Sequence, residues 1–138
     1  MPAGRFEISL PAVLESLRIA APFTDAVFNE LPELPDRSGI IHGLALVTSE
    51  ALTNAIRHSD RPDSCVRLVL QLCSDRMIIA VTDQGAGFDP DAVAPPDLES
   101  ASEGGYGLYI INSLMDEVRY NREDDGNTLV LTKIWGEP

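Results

Sequence analysis

The chain has 138 residues, 44% of them hydrophobic and 23% charged, with a formal net charge of −12 and a single lysine, Lys133. This is the make-up of an ordinary globular protein of one domain, residues 1–138, large enough for a proper core. The acidity excludes a nucleic-acid binder, so a phosphate ligand would need a metal ion or backbone N–H groups. No apolar run approaches the roughly 18 residues of a membrane span, and "MPAGRFEISL" has no apolar leader core, so the expected location is cytoplasmic, with no membrane partner.

Residues Arg5 to Leu10 alternate apolar and polar as a short strand does. Pro11 is expected to open a helix through "AVLESLRIAAPFTDAVFNEL", bent at Pro22, and the Pro-rich "LPELPD" then breaks the chain. Asp36 or Ser38 is placed to N-cap "GIIHGLALVTSEALTNAIRHS", in which Ile40, Ile41, Leu44, Val47, Thr48, Ala51, Leu52 and Ala55 form one apolar stripe.

In "SCVRLVLQLC", Val66, Leu68, Leu70 and Leu72 share one face and Cys65, Arg67, Val69 and Gln71 the other, the signature of a half-buried strand. Cys65 and Cys73 would lie roughly 26 Å apart along it at about 3.3 Å per residue, so they cannot pair, and without His or Cys neighbours they are structural thiols. Residues 77–82 are apolar on both faces and predict a central strand. About 15 residues rich in Pro, Asp, Ser and Gly follow, too long for a neutral connection in a small domain and expected to be a lid or binding loop. A helix, "YGLYIINSLMD", comes next, with Leu108, Ile111 and Met115 at helical spacing, then strands at Val118–Arg122 and Thr128–Trp135 around the turn "EDDGN". The order predicts an α+β, two-layer sandwich: a mixed sheet covered on one face by helices.

Two stretches carry chemistry. On the second long helix Glu50, Asn54, Arg57 and His58 fall within an arc of roughly 100°, with Glu50 and Asn54 about 40° apart. Such an arc reads as a solvated helix face or as a carboxylate and an amide that hold a nucleophile and a metal ion, with hard oxygen ligands suited to Mg²⁺, and the spacing does not separate the two. In "VTDQGAGFDP" the apolar strand ends in Asp83 followed by Gly85 and Gly87, which reads as a turn or as a place where a ligand approaches the backbone closely.

The helix "SEALTNAIRH", the strand end "DQGAGF" and the loop-to-helix stretch "EGGYGLYIINSLMDEV" occur in that order, and together they resemble the N box and the two glycine boxes of the GHKL (histidine-kinase-like) ATPases. Within that superfamily the chain, over residues 6 to 135, is similar to the bacterial anti-sigma-factor serine/threonine kinases. The resemblance implies that Glu50 is the general base or positions the nucleophile, and that Asn54 coordinates Mg²⁺. It implies that Asp83 accepts a hydrogen bond from the adenine amino group of ATP, above Gly85 and Gly87. Gly105 and Gly107, with Leu108 beside them, match the second glycine pair at a helix start, where N–H groups face phosphates. His58 matches a histidine frequent in these kinases and is given no chemical role. Some relatives carry an arginine where this chain has Glu103, which leaves Arg57 or a Mg²⁺ contact to supply positive charge at the γ-phosphate.

The implied activity is phosphorylation of a serine or threonine on an anti-anti-sigma (STAS) protein. The other implied partners are a sigma factor and a second copy of the chain. A switch-type kinase acting on a stressosome scaffold and a non-catalytic ATP-binding module are the alternatives.

Overall fold

The computed structural model describes residues 3–59, 63–84, 105–123 and 126–136. The expected lid, Gly85, Gly87 and Glu103 lie outside these residues. In chain order the elements are β1 (Gly4–Pro11), a 3-10 turn (Leu14–Ser16), α1 (Leu17–Phe28), α2 (Arg37–Arg57), β2 (Cys65–Leu72), β3 (Arg76–Asp83), α3 (Gly105–Leu114), β4 (Glu117–Glu123) and β5 (Gly126–Ile134).

Pro11 closes a strand and opens no helix. It stands opposite Cys65 in the β1–β2 ladder, and Ala12 extends the strand by donating its N–H to Ser64 O at 2.9 Å. β1 is an edge strand, where a proline is tolerated because one side of the strand has no ladder to complete. The turn into α1 comes three residues later and is tied by Ser16 Oγ donating to Pro11 O at 2.7 Å. α1 then runs through Pro22 without interruption. Beyond it, Arg37 donates Nη2 to Asn29 O at 2.8 Å and Nε to Leu31 O at 3.1 Å, setting a cation against carbonyls at the C-terminal end of α1. Asp36 does occupy the N-cap of α2, but in the left-handed region (φ 57°) and with no side-chain capping bond.

The strands form one sheet in the order β1-β2-β3-β5-β4. Every ladder is antiparallel, so the sheet is not mixed as expected. The connections explain the difference. Two helices separate β1 from β2, so the chain returns to the end it left and β2 runs back along β1. A strand–helix–strand unit does link β3 to β4 and would make them a parallel pair, but β5 inserts between them and runs against both. The other expectation holds, with the helices on one face in a two-layer α+β sandwich.

Side-chain parity builds the core. Phe6, Ile8 and Leu10 of β1, the even-numbered residues Val66 to Leu72 of β2, and Met77, Ile79 and Val81 of β3 all face the helices, as do Leu129 and Leu131 of β5. Leu44, Val47, Ala51 and Leu52 of α2 press against them, joined by Phe28 of α1 and Ile111 of α3. Leu70, on an inner strand, is fully buried. Leu70→Ala is expected to lower the unfolding free energy by about 2 to 5 kcal/mol, read from the denaturant midpoint at unchanged m-value. Both cysteines are free, Cys65 exposed and Cys73 partly covered. No helix among the described residues is long and apolar enough to cross a membrane.

Far from the strand ends considered next, Asp75 closes the β2–β3 hairpin. Hydrogen bonding to the Arg76 guanidinium, at 2.9 and 3.2 Å, holds its carboxyl below the usual range, and its backbone oxygen accepts the N–H groups of Trp135 and Gly136.

Candidate active site

One end of the sandwich collects the polar residues. β2 begins and β3 ends there, since Arg67 stands opposite Thr82. α2 reaches the same end, because the short connection from its C-terminus into β2 is pinned by the Ser59 and Ser64 hydroxyls at 2.8 Å. α3 starts there as well, as its first turn lies against α2.

Glu50 and Asn54 lie one turn apart in the C-terminal half of α2. The solvated-face reading fails for Asn54, which is 4% exposed although it lies in the polar arc. Glu50 is half-buried, while Arg57 and His58 are exposed at the helix end. The arc therefore divides into a covered pair and an outer pair. His58 is the C-cap residue of α2, its N–H donating to Asn54 O at 3.0 Å.

Gly107 explains what covers the inner pair. A Cβ on this residue would stand 2.9 Å from Glu50 Oε2 and 3.0 Å from Asn54 Nδ2, closer than side chains normally pack. Glycine lets the first turn of α3 come down onto both groups without displacing either. The N-box helix and the second glycine box are thus in contact, with Leu108 buried beside them. Gly105 opens α3, so the unpaired N–H groups of a helix start lie at this same place, the arrangement that favours an anion.

Asp83 is the last residue of β3 and is 3% exposed. Its parity is that of Met77, Ile79 and Val81, so the carboxylate points to the helix side of the sheet. It accepts a hydrogen bond from Asn127 Nδ2 at 3.0 Å, in a fully buried contact. Asn127 was not anticipated as a site residue, because the expected strand began at Thr128. The observed β5 begins at Gly126 and places Asn127 directly opposite Asp83. Alternation traced back from Leu131 through Leu129 marks Asn127 as an inward polar residue, and that signal was available.

Asn54 offers a hard oxygen donor of the kind Mg²⁺ takes, with the Glu50 carboxylate one turn away and Gly107 against both. No group of three His, Cys, Asp or Glu side chains gathers among the described residues. A single amide oxygen suits the usual Mg²⁺ pattern, in which few protein ligands share the ion with substrate phosphates and water.

The profile of the histidine kinase-like ATPase domain matches residues 10–133. The chain belongs to that family. Among curated proteins it is 35% identical over 136 residues to the serine-protein kinase RsbW of Halalkalibacterium halodurans, covering 93% of this chain and 82% of that one. RsbW of Bacillus cereus is 33% identical over 138 residues, covering 94% of this chain and 84% of the relative. Among solved structures, the RsbU and RsbW domains of a Mycobacterium tuberculosis protein superpose with a TM-score of 0.66 at 21% identity, over 99% of this chain and 34% of that one. That last likeness concerns the fold alone.

Proposed function

We propose that the protein is an ATP-dependent serine/threonine protein kinase that acts as an anti-sigma factor, phosphorylating a STAS-type antagonist and sequestering a sigma factor. The observation that carries the reading is the convergence of Glu50, Asn54 and Gly107, which brings a carboxylate, an amide and a helix start into contact. The similarity to proteins named serine-protein kinase RsbW supports a serine as acceptor.

Phosphoryl transfer asks a protein chiefly for positioning and charge neutralisation. In this reading Asp83 receives the adenine amino group. The N–H groups from Gly105 to Leu108 face the phosphates. Glu50 orients the acceptor hydroxyl in line with the γ-phosphorus and takes its proton as the new oxygen–phosphorus bond forms and the bond to the β-phosphate oxygen breaks. Asn54 would hold Mg²⁺, which when bound supplies charge neutralisation at the phosphates. The protein works in the cytoplasm as a homodimer.

Incubation with γ-labelled ATP, alone and with candidate STAS proteins, tests the assignment. Label on a partner serine or threonine is the expected result. Label on His42 or His58 of this chain, label released only as inorganic phosphate, or none transferred would overturn it.

A further inference from the structure

We propose that the cavity between the start of α2 and the end of α3 binds a free α-amino acid with an apolar side chain, its ammonium group paired with Asp36 and its carboxylate with Lys133. The site lies away from the nucleotide end, and the proposal does not depend on the roles given to Glu50 and Asp83.

The cavity measures about 150 Å³, and its floor is apolar, with Leu44 and Met115 both buried. A hollow of this size lined by aliphatic side chains takes a benzene-sized group, so a leucine, methionine or phenylalanine side chain fits. On the α2 wall, Gly43 faces Leu114. A Cβ at this glycine would stand 3.9 Å from Leu114 Cδ1, an ordinary van der Waals distance, so packing does not require a glycine there. A glycine inside a helix weakens it relative to alanine, and what this one preserves is open space.

Charge reaches the cavity from two different elements. Lys133, the single lysine of the chain, continues the inward row Leu129–Leu131 of β5, a position where lysine is rare, and its side chain remains 29% exposed. It turns to the end of α3, donating Nζ to Leu114 O at 3.1 Å and standing 4.0 Å from Asp116 Oδ2. An ammonium group has three N–H donors, so capacity is left for a ligand carboxylate. Asp36 comes from the head of α2. A capping aspartate acts from extended backbone, whereas Asp36 lies in the left-handed region at φ 57° and makes no capping bond. Its carboxylate lies instead over Gly39, where a Cβ would stand 2.5 Å from Oδ1.

A mostly apolar hollow with a few placed polar groups is the layout of a small-molecule site. Here the two placed charges are of opposite sign. A fatty acid or an alkylamine answers only one of them, and a zwitterion answers both. Being neutral overall, a zwitterion also escapes the repulsion that a net charge of −12 exerts on an anion.

The test titrates the full chain with L-leucine and follows amide chemical shifts. L-alanine, leucinamide and 4-methylpentanoate serve as controls for the side chain, the carboxylate and the ammonium group. Leucine is expected to bind saturably, with its shifts at Gly39, Gly43 and Leu114, and alanine is expected not to bind. Leucinamide and 4-methylpentanoate should each bind about tenfold more weakly than leucine, the usual consequence of losing one charged hydrogen bond. D36N, in which asparagine tolerates the left-handed backbone, and K133M, which keeps the length of the stem, should each weaken leucine by the same factor. D36N leaves 4-methylpentanoate as in the wild type, and K133M leaves leucinamide so. The ligand series is read on the wild type and decides the matter even where a variant does not fold. No saturation by leucine at millimolar concentration, equal affinity for leucine and its two truncated analogues, or shifts centred on Glu50 and Asp83 would overturn the proposal. So would an unchanged leucine affinity in either folded variant.

Discussion

Glu50→Gln is expected to bind ATP as the wild type does while transfer of the γ-phosphoryl group to the partner protein falls by about 10² to 10⁴, the usual range for loss of a general base. The substitution keeps the length of the side chain and its hydrogen-bonding capacity, so the contact with the first turn of α3 survives. The carboxamide cannot accept the hydroxyl proton. A drop of that size corresponds to about 2.7 to 5.5 kcal/mol of transition-state stabilisation. The diagnostic feature is the split: an unchanged dissociation constant for ATP with a collapsed rate of transfer. Wild-type rates in E50Q would exclude Glu50 as the base, and a lost affinity would make it a binding residue.

Gly107→Ala tests the same constellation from the opposite side. The added methyl group would stand 2.9 Å from Glu50 Oε2 and 3.0 Å from Asn54 Nδ2. Glu50 ends a flexible side chain and is only half-buried, so it can swing away at little cost to folding. Asn54 is buried and yields less easily. The thermal midpoint of G107A is therefore expected to stay close to that of the wild type. Displacing a reacting group by about 1 Å costs on the order of 10²-fold in rate, and transfer should fall by about that much. A strongly destabilised G107A would instead mean that the glycine serves the packing of α3 on α2. A stable, fully active one would mean that Glu50 does not act from its observed position.

Periodicity made most of the fold legible. The stripe on α2 and the alternation in β2 each specify one buried face, and the structure buries those faces against each other. The order of elements gave the two layers. It did not give the strand directions, because direction depends on which strand lies between which, and β5 enters between β3 and β4 through a long-range pairing that no local pattern encodes. Pro11 was misplaced for a related reason: a proline before an apolar stretch can start a helix or end an edge strand, and only the partner strand decides.

The site was legible where its residues stand in recognisable boxes. Glu50, Asn54 and Gly107 come together although more than fifty residues separate Asn54 from Gly107 in the chain, and the missing Cβ at Gly107 leaves both side chains where they are. Asn127 escaped because "EDDGN" contains three residue types that favour turns, and this masked the parity linking Asn127 to Leu129 and Leu131. Arg57, considered as a source of charge for the γ-phosphate, is exposed at the end of α2, outside the covered pair.

Nucleotide binding at the end of the sandwich that holds Glu50 and Asp83 can be read from amide chemical shifts on adding Mg-ADP. A cavity elsewhere makes the contrast sharp: at the opposite ends of α2 and α3 lies one of about 150 Å³, lined by Asp36, Gly43, Leu114 and Lys133 among others. With the nucleotide bound there, the largest shifts are expected on the C-terminal half of α2 around Glu50 and Asn54, the end of β3 at Asp83, the first turn of α3 at Gly107 and the start of β5 at Asn127. Shifts concentrated around Asp36 and Lys133, or none at saturating nucleotide, would contradict it.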